Sequence, residues 1–365
     1  MAKIAVVGAG AGGTAAVVEL VAAGHEVALW ARSPQTLAPL RAQDGVAHDG
    51  VLGSGLVRPQ LMTNDIGAAI ADADAILVCL PSFAHADVAA AFARAGVTCP
   101  IILNPGHTGG ALEFSQCFRA LGATAPSIAE FSTLTYVARK YAPKKVTISG
   151  RAKSVRLAAL PGGGAARAAA QMLFGAANVM PDVLACDLAN VNMVLHTPGA
   201  VLGAAWIEAT QGDFTFYVQG MTAGVARVMD ALDAERRAVA RAFGHDLPPL
   251  IVEMQAIGTA DAAVHGTSDL VAAIVSGEAN QRIKAPDSLA HRYYREDFGY
   301  GLLPLTVFAG IAGIAVPMAE ALLRVAQALT GVDFVAHGRT AARMGIAGFD
   351  QKRLLEHLRA TTHGT

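Results

Sequence analysis

The sequence contains few charged residues and few cysteines, and its basic residues do not outnumber its acidic ones. Each of these shortages excludes a class of protein. Only 16% of the residues are charged, and 28 lysines and arginines nearly balance 29 aspartates and glutamates. Without a basic excess, counterion release cannot drive binding to a polyanion, so we expect no nucleic-acid partner. The four cysteines are scattered without CxxC spacing, which argues against a zinc site and a disulfide framework. We therefore expect no metal and a reducing, cytoplasmic location.

Long uninterrupted hydrophobic runs are also missing. The most membrane-like stretch, residues 305–323, contains Gly310, Gly313, Pro317 and Glu320, which predicts a buried helix or helix pair and no membrane partner. The chain enters a strand-like apolar run at Ile4, so we also expect no export signal.

What the sequence does contain is a regular alternation of apolar runs and alanine-rich segments. A chain of 365 residues, 53% of them hydrophobic, suits two domains. The alternation predicts a doubly wound parallel sheet, an α/β fold. The predicted strands are 3–7, 26–30, 75–79, 100–103, 127–132, 145–149 and 154–160, and the predicted helices between them are 12–23, 34–43, 84–95, 110–121 and 163–174.

Strand patterns stop near residue 185, and helical patterns follow. The predicted helices span residues 187–211, 216–243, 247–256, 302–328 and 350–360. We therefore expect a dinucleotide-binding domain over 1–185 and a mainly helical substrate domain over 186–365. The apolar helices of the second domain could supply a homodimer interface.

A glycine loop connects the first predicted strand to the first predicted helix. It reads Gly8-Ala9-Gly10-Ala11-Gly12-Gly13, and its GxGxxG spacing within a complete βαβ unit predicts a dinucleotide site. The helix N-terminus would face the phosphates with free N–H groups and the positive end of its dipole. A second phosphate-side contact is expected at Leu80 and Pro81, after the 75–79 strand.

The end of the second strand predicts which dinucleotide binds. NAD-binding proteins carry an acidic residue there for the ribose 2′-hydroxyl. Here the position holds Trp30-Ala31-Arg32-Ser33, where Arg32 could pair with a 2′-phosphate and Ser33 could donate a hydrogen bond to it. NADP is therefore favoured, with NAD as the alternative if Arg32 is simply a solvated loop residue.

Four further segments stand out along the chain: residues 104–114 (NPGHTGGALEF), 133–136 (TLTY), 192–198 (NMVLHTP) and 292–302 (RYYREDFGYGL). With them the chain resembles, nearly end to end, the opine dehydrogenase family, the octopine- and nopaline-dehydrogenase-like enzymes that reductively join an amine to a 2-oxo acid. The resemblance implies a Rossmann domain followed by a helical catalytic domain. It departs from the family pattern at Thr135 and Ala138, which replace a frequent proline and cysteine.

The resemblance also implies site residues. His196 and Asp297 stand where the family has its proton-transfer pair, Arg292 where an arginine binds the oxo acid's carboxylate, and Thr108 and Tyr136 fall in segments expected to bind substrate. The residue types suit these roles, because histidine titrates near neutral pH, a carboxylate can orient its ring, and a guanidinium matches a carboxylate in geometry.

Plainer interpretations of these residues remain open. His196 lies in an apolar stretch and could be a hydrogen-bonded core histidine. The charged segment from Arg292 to Asp297 could be a solvated loop with surface ion pairs. His107, in the glycine-rich loop after the 100–103 strand, is a further candidate pocket residue.

Two other functions compete with amine condensation. Ketopantoate reductases and glycerol-3-phosphate dehydrogenases pair a similar Rossmann half with a helical domain, but they usually present a catalytic lysine there. Residues 162–282 of this chain contain no lysine. A non-catalytic dinucleotide sensor is the other alternative, and it predicts cofactor binding without turnover.

Overall fold

The computed structural model describes residues 1–260 and 269–359, which divide into two compact units. The first contains Met1–Gly106 and Gly110–Val183. The second contains His107–Gly109 and the described residues from Leu184 onward. Residues 107–109 are therefore part of the second unit, although the chain before and after them belongs to the first.

The first unit carries the strands and the helices that alternate with them. The strands are β1 (Lys3–Val7), β2 (Glu26–Trp30), β3 (Val46–Gly50), β4 (Gly55–Val57), β5 (Leu61–Thr63), β6 (Ala75–Val78), β7 (Ile101–Leu103), β8 (Ile128–Phe131), β9 (Tyr136–Ala142), β10 (Lys145–Arg151), β11 (Val155–Ala159) and β12 (Ala177–Val179). The helices are α1 (Ala11–Ala22), α2 (Pro34–Ala42), α3 (Ile66–Ile70), α4 (His85–Arg94), α5 (Gly110–Ala120) and α6 (Gly164–Leu173).

The main sheet has eight strands in the order β12-β11-β8-β7-β6-β1-β2-β5. Its pairings are parallel except that between β11 and β8, which is antiparallel. The central strands read as unbroken apolar runs because helices cover both faces of a doubly wound sheet. The predicted α/β fold, a Rossmann-like sheet followed by helices, is confirmed.

A second sheet, with the order β4-β3-β10-β9, was not predicted. The prediction that residues 145–149 join the main sheet is wrong, because β10 pairs with β9 in an antiparallel hairpin and with β3 in parallel. β3 and β9 mix small, polar and charged residues, such as His48 and Asp49, without regular apolar alternation, so the sequence pattern indicated neither strand.

The second unit is built from helices. They are α7 (Val183–Leu188), α8 (Asn192–Leu202), α9 (Ala204–Thr210), α10 (Ala223–Ala242), α11 (Leu250–Ile257), α12 (Leu270–Ser276), α13 (Arg292–Asp297), α14 (Leu303–Ala312), α15 (Pro317–Thr330), α16 (Phe334–His337) and α17 (Gln351–Arg359), with a π-helical turn over Phe298–Leu302. Ala360, the last residue of the predicted 350–360 helix, lies outside the described residues.

Three predicted helices are shorter or divided. The 187–211 segment separates into α7, α8 and α9, with Gly203 between the last two. The 216–243 helix starts only at Ala223, where the Thr222 hydroxyl accepts a hydrogen bond from the Val225 amide as an N-cap. The 302–328 segment is a helix pair, because Gly313 ends α14 with φ +68° and Pro317 starts α15. Among the described residues, no helix is long and apolar enough to cross a membrane.

Candidate active site

The glycine loop joins β1 to α1 through a turn that only glycine allows at two positions. Gly8 has φ +123°, and a Cβ there would collide with the carbonyl oxygen of Cys79 on the adjacent chain segment. A Cβ at Gly13 would collide with the carbonyl oxygen of Gly8. The first and third glycines of the motif therefore allow the close packing of β1 against α1.

The middle of the loop is open. Gly10 is exposed, is the N-cap of α1, and has no atom within 4 Å of the position a Cβ would take. No side chain caps α1, and its first turn holds no acidic residue, so its leading N–H groups are available to an anion. These residues fit the phosphates of a dinucleotide. Leu80 borders the loop, with its Cδ2 3.1 Å from the position of a Cβ on Gly8.

The end of β2 carries no carboxylate. Arg32 is exposed and forms no hydrogen bond or ion pair within the described part of the chain. Ser33 is the N-cap of α2, and its hydroxyl donates to Oε1 of Gln35 at 2.6 Å. A ligand phosphate beside residues 30–33 would meet the Arg32 cation, and this segment contains no carboxylate.

His196 and Asp297 form a buried pair in the second unit. Nδ1 of His196, on α8, lies 2.9 Å from Oδ2 of Asp297, the last residue of α13. The side chains are 12% and 4% exposed. The two helices approach closely, since the Tyr294 hydroxyl donates to the carbonyl of Ala200 at 2.7 Å. The carboxylate fixes the ring orientation and leaves Nε2 as the free nitrogen.

Aromatic rings form the wall beside His196. Its ring stacks on Tyr293 with centroids 4.1 Å apart and planes 13° apart, and Tyr217 lies 6.2 Å away. The hydroxyls of Tyr217 and Tyr293 are 3.5 Å apart. Within the described residues, Nε2 of His196 has no hydrogen-bond partner. It is therefore available to a substrate.

Arg292 opens α13, and its side chain is exposed. Its guanidinium carbon lies 6.0 Å from the centre of the Tyr293 ring. Desolvation acts to lower the pKa of Arg292, but attraction to the Glu296 carboxylate and then to other nearby groups, including Asp297, outweighs it and raises the pKa. Arg292 makes no ion pair with any described residue, so its charged fork is free to bind a carboxylate.

A second histidine–carboxylate pair joins α13 to the loop that contains His107. Nε2 of His107 is 3.2 Å from Oε1 of Glu296, with both side chains 7% exposed. The Asn190 amide nitrogen lies 3.3 Å from Nδ1 of His107 and can only donate, so the ring proton of neutral His107 belongs on Nε2, facing Glu296. His107 has φ +57°, a left-handed backbone. Sequence reasoning gave His107 only as a candidate pocket residue and did not single out Glu296.

The other two predicted substrate residues have hydroxyls bound within their own units. Thr108 is fully buried; its hydroxyl accepts from Asn190 at 3.3 Å, and its carbonyl accepts from Nη1 of Arg339 at 2.8 Å. The Tyr136 hydroxyl donates to Oε2 of Glu19 at 2.6 Å, and its ring packs against Phe174. Burial raises the pKa of the Tyr136 phenol well above its usual value, and the Glu19 carboxylate adds to the effect. The structure thus brings His196, Asp297 and Arg292 together within one unit.

Comparison with known proteins places the chain in a family. The family model described as NAD/NADP octopine/nopaline dehydrogenase, alpha-helical domain, matches residues 179–330, and that of ketopantoate reductase PanE/ApbA matches residues 4–103. An opine dehydrogenase from Arthrobacter sp. (strain 1C) is 33% identical over 354 residues, covering 94% of this chain and 95% of that protein. The chain belongs to the opine dehydrogenase family. It is therefore an NAD(P)-dependent oxidoreductase acting on CH–NH bonds, which reductively condenses an amino group with a 2-oxo acid.

Other relatives agree with this assignment. An octopine dehydrogenase of Pecten maximus is 28% identical over 309 residues, 77% of this chain and 76% of that protein. The fold matches a structure of octopine dehydrogenase with NADH and L-arginine at a TM-score of 0.77 and 21% identity, over the full length of both chains. It matches yersinopine dehydrogenase with NADP⁺ bound at 0.73 and 15% identity, over 98% of this chain and 97% of that one.

These matches also bear on the competing functions. The resemblance to ketopantoate reductase in the family models covers the dinucleotide-binding segment, whereas the helical segment that carries His196 and Asp297 matches the octopine/nopaline model. No group of three or more metal-ligating side chains occurs in residues 1–260 and 269–359.

Proposed function

We propose that this protein is an NADP-preferring opine dehydrogenase that condenses an amino acid with a small 2-oxo acid such as pyruvate. Residues 1–185 hold the cofactor, and residues 186–365 carry the substrate-binding and proton-transfer groups. The observation that supports the proposal most directly is the His196–Asp297 pair, whose Nε2 has no partner within residues 1–260 and 269–359 and which lies on the same unit as the Arg292 guanidinium.

His196 accepts and then donates a proton in the condensation step. Its Nε2 takes a proton from the ammonium of the amino acid, and the free amine attacks the 2-oxo carbon. The same nitrogen returns the proton to the hydroxyl of the adduct, which departs as water and leaves a carbon–nitrogen double bond. Asp297 accepts the Nδ1 proton, holds the ring in this tautomer and stabilises the imidazolium. The bound nicotinamide supplies the hydride that reduces the double bond.

Arg292 fixes the oxo acid. A guanidinium binds a carboxylate through two parallel N–H donors, which orients the adjacent carbonyl as well as attracting it. Because Glu296 is paired with His107 and Asp297 with His196, neither carboxylate forms an ion pair with Arg292.

Arg32 sets the preference for NADP. Arg32 is exposed at the end of β2 and has no partner among the described residues, and residues 30–33 contain no carboxylate. Its guanidinium attracts a 2′-phosphate where an acidic residue would repel it. Ser33 adds a hydroxyl at the start of α2.

We also propose a homodimer located in the cytoplasm. Val325, Leu329 and Val335 leave apolar surface exposed on α15 and α16, which suits a subunit interface. The four cysteines are unbridged, which suits a reducing compartment. Light scattering of the purified protein would test the dimer directly.

A cross-screen tests the function and the cofactor together. NADPH and NADH oxidation is followed with 2-oxo acids alone, amino acids alone, and both. We expect oxidation that requires both substrates and is faster with NADPH. Oxidation with the 2-oxo acid alone would indicate a simple carbonyl reductase, and binding without turnover would indicate a sensor. In Arg32→Glu, the NADPH preference should be lost while NADH still binds.

A further inference from the structure

Lys140 lies on β9, two residues after the buried Ala138 and four after the buried Tyr136, where the register with β10 shifts. Tyr136 and Ala138 share one face of the strand. That face is bound to α1 through Glu19. The Glu19 carboxylate accepts a hydrogen bond from the Tyr136 hydroxyl at 2.6 Å and forms an ion pair with Arg151, the last residue of β10, at 2.8 Å. These bonds fix the position from which Lys140 reaches the glycine loop.

The Lys140 ammonium points at the loop itself. Its Nζ lies 3.4 Å from the carbonyl oxygen of Ala9, between the first two glycines of the motif. No carboxylate of the described residues pairs with it, whereas Lys145 on the same hairpin binds Asp49 at 2.6 Å. Partial burial lowers the pKa of Lys140. One neutral oxygen compensates the positive charge of a partly desolvated ammonium only in part. An anion bound at the loop would compensate the rest of that charge.

The loop offers that anion a place. Among the residues that the structure describes, no atom lies within 4 Å of a Cβ placed on Gly10, and no side chain caps the first N–H groups of α1. We propose that Lys140 binds the pyrophosphate of the dinucleotide, as a cation supplied from the second sheet. This role rests on the cofactor site of the proposed function. It differs from that of Arg32, which follows β2 and is assigned to the 2′-phosphate.

The test is a comparison of cofactor affinities, with no turnover needed. NADPH and NADH are titrated by fluorescence into the wild type, Lys140→Met, Lys140→Arg and, as a control, Lys144→Met. Lys144 is an exposed lysine of the turn between β9 and β10. We expect Lys140→Met to weaken both cofactors by roughly tenfold, Lys140→Arg to retain most of the affinity, and Lys144→Met to match the wild type. The loss should shrink at high salt.

Three outcomes would overturn the proposal. They are unchanged affinity in Lys140→Met, a loss confined to NADPH, which would place Lys140 at the 2′-phosphate, and an equal loss in Lys144→Met. Thermal melting of each variant separates a folding defect from a binding defect. If Lys140→Met melts early, the titration is repeated with Lys140→Gln, which keeps a polar side chain without the charge, and a folded Lys140→Gln that binds NADH as tightly as the wild type would also overturn the proposal. A wild type that binds neither dinucleotide would instead contradict the proposed function.

Discussion

Glu296 and Asp297 are consecutive residues of α13, yet each holds a different histidine. Glu296 binds Nε2 of His107 at 3.2 Å, and Asp297 binds Nδ1 of His196 at 2.9 Å. Adjacent residues of a helix point about 100° apart, so one short helix can serve two sites. Arg292 precedes Glu296 by four residues, so the two side chains lie on the same side of the helix. This explains why the Glu296 carboxylate is the main group that raises the pKa of Arg292.

Replacing His196 by Gln should remove the proton acceptor without leaving a cavity. We expect kcat to fall by about 10²- to 10⁴-fold, the range for general acid–base catalysis, while the NADPH dissociation constant stays within about twofold. Asp297→Asn should also lower kcat strongly, because an amide can hold the ring in the wrong tautomer. Steady-state kinetics and fluorescence titration measure the two quantities. Near-normal turnover in His196→Gln would refute the assigned role.

Replacing Arg292 by Met should raise KM for the 2-oxo acid by roughly 10- to 100-fold, because the charged fork that binds the carboxylate is lost. Lys at this position should restore part of the affinity, since it keeps the charge but not the planar geometry. The control variant is Arg295→Met, which replaces another exposed arginine of α13. An effect on the amino acid's KM alone would assign Arg292 to the other substrate.

The two glycines Gly10 and Gly13 should respond differently to alanine. Gly10→Ala adds a methyl group in open space, so the protein should fold normally but bind NADPH and NADH more weakly. Gly13→Ala places a Cβ against the Gly8 carbonyl, so we expect a large loss of stability. Melting curves and cofactor titrations separate the effects. Normal cofactor affinity in Gly10→Ala would show that the open space is not used.

His291 should make the second unit sensitive to acid. Its Nδ1 accepts a hydrogen bond from the Tyr293 amide as the N-cap of α13, and burial, followed by the positive charge of Arg292, lowers its pKa. The folded state therefore binds the proton less well than the unfolded state, and stability decreases as pH falls below about 6.5. His291→Asn keeps a capping acceptor but cannot titrate, so between pH 7.5 and 5.5 it should lose less stability than the wild type in urea unfolding. Equal losses would contradict this.

The sequence predicted the parts of the molecule that follow from local pattern. The βαβ alternation and the glycine spacing located β1, α1 and β2 to within a residue or two. Apolar periodicity and the backbone conformations that require glycine are local properties of the sequence. The family resemblance supplied His196 and Asp297, which lie 101 residues apart and which no local pattern could have paired.

What could not be predicted depends on long-range pairing. The second sheet joins β3 to β10 across about a hundred residues, and its strands lack strong alternation. The charged segment of Arg292 to Asp297 was compatible with a solvated loop. In the structure, Glu296 and Asp297 are buried while Arg292 and Arg295 are exposed, a division set by the partners His107 and His196.

The assignment of His107–Gly109 to the second unit constrains how the protein can be dissected. A fragment ending at Val183 would take these residues away from Glu296, Asn190 and the Arg339 guanidinium, which binds the Thr108 carbonyl. A fragment starting at Leu184 would leave Glu296 buried without its histidine. The polypeptide can therefore not be cut once into two self-sufficient pieces, and a split version would need residues 107–109 supplied from the first fragment to complete the second.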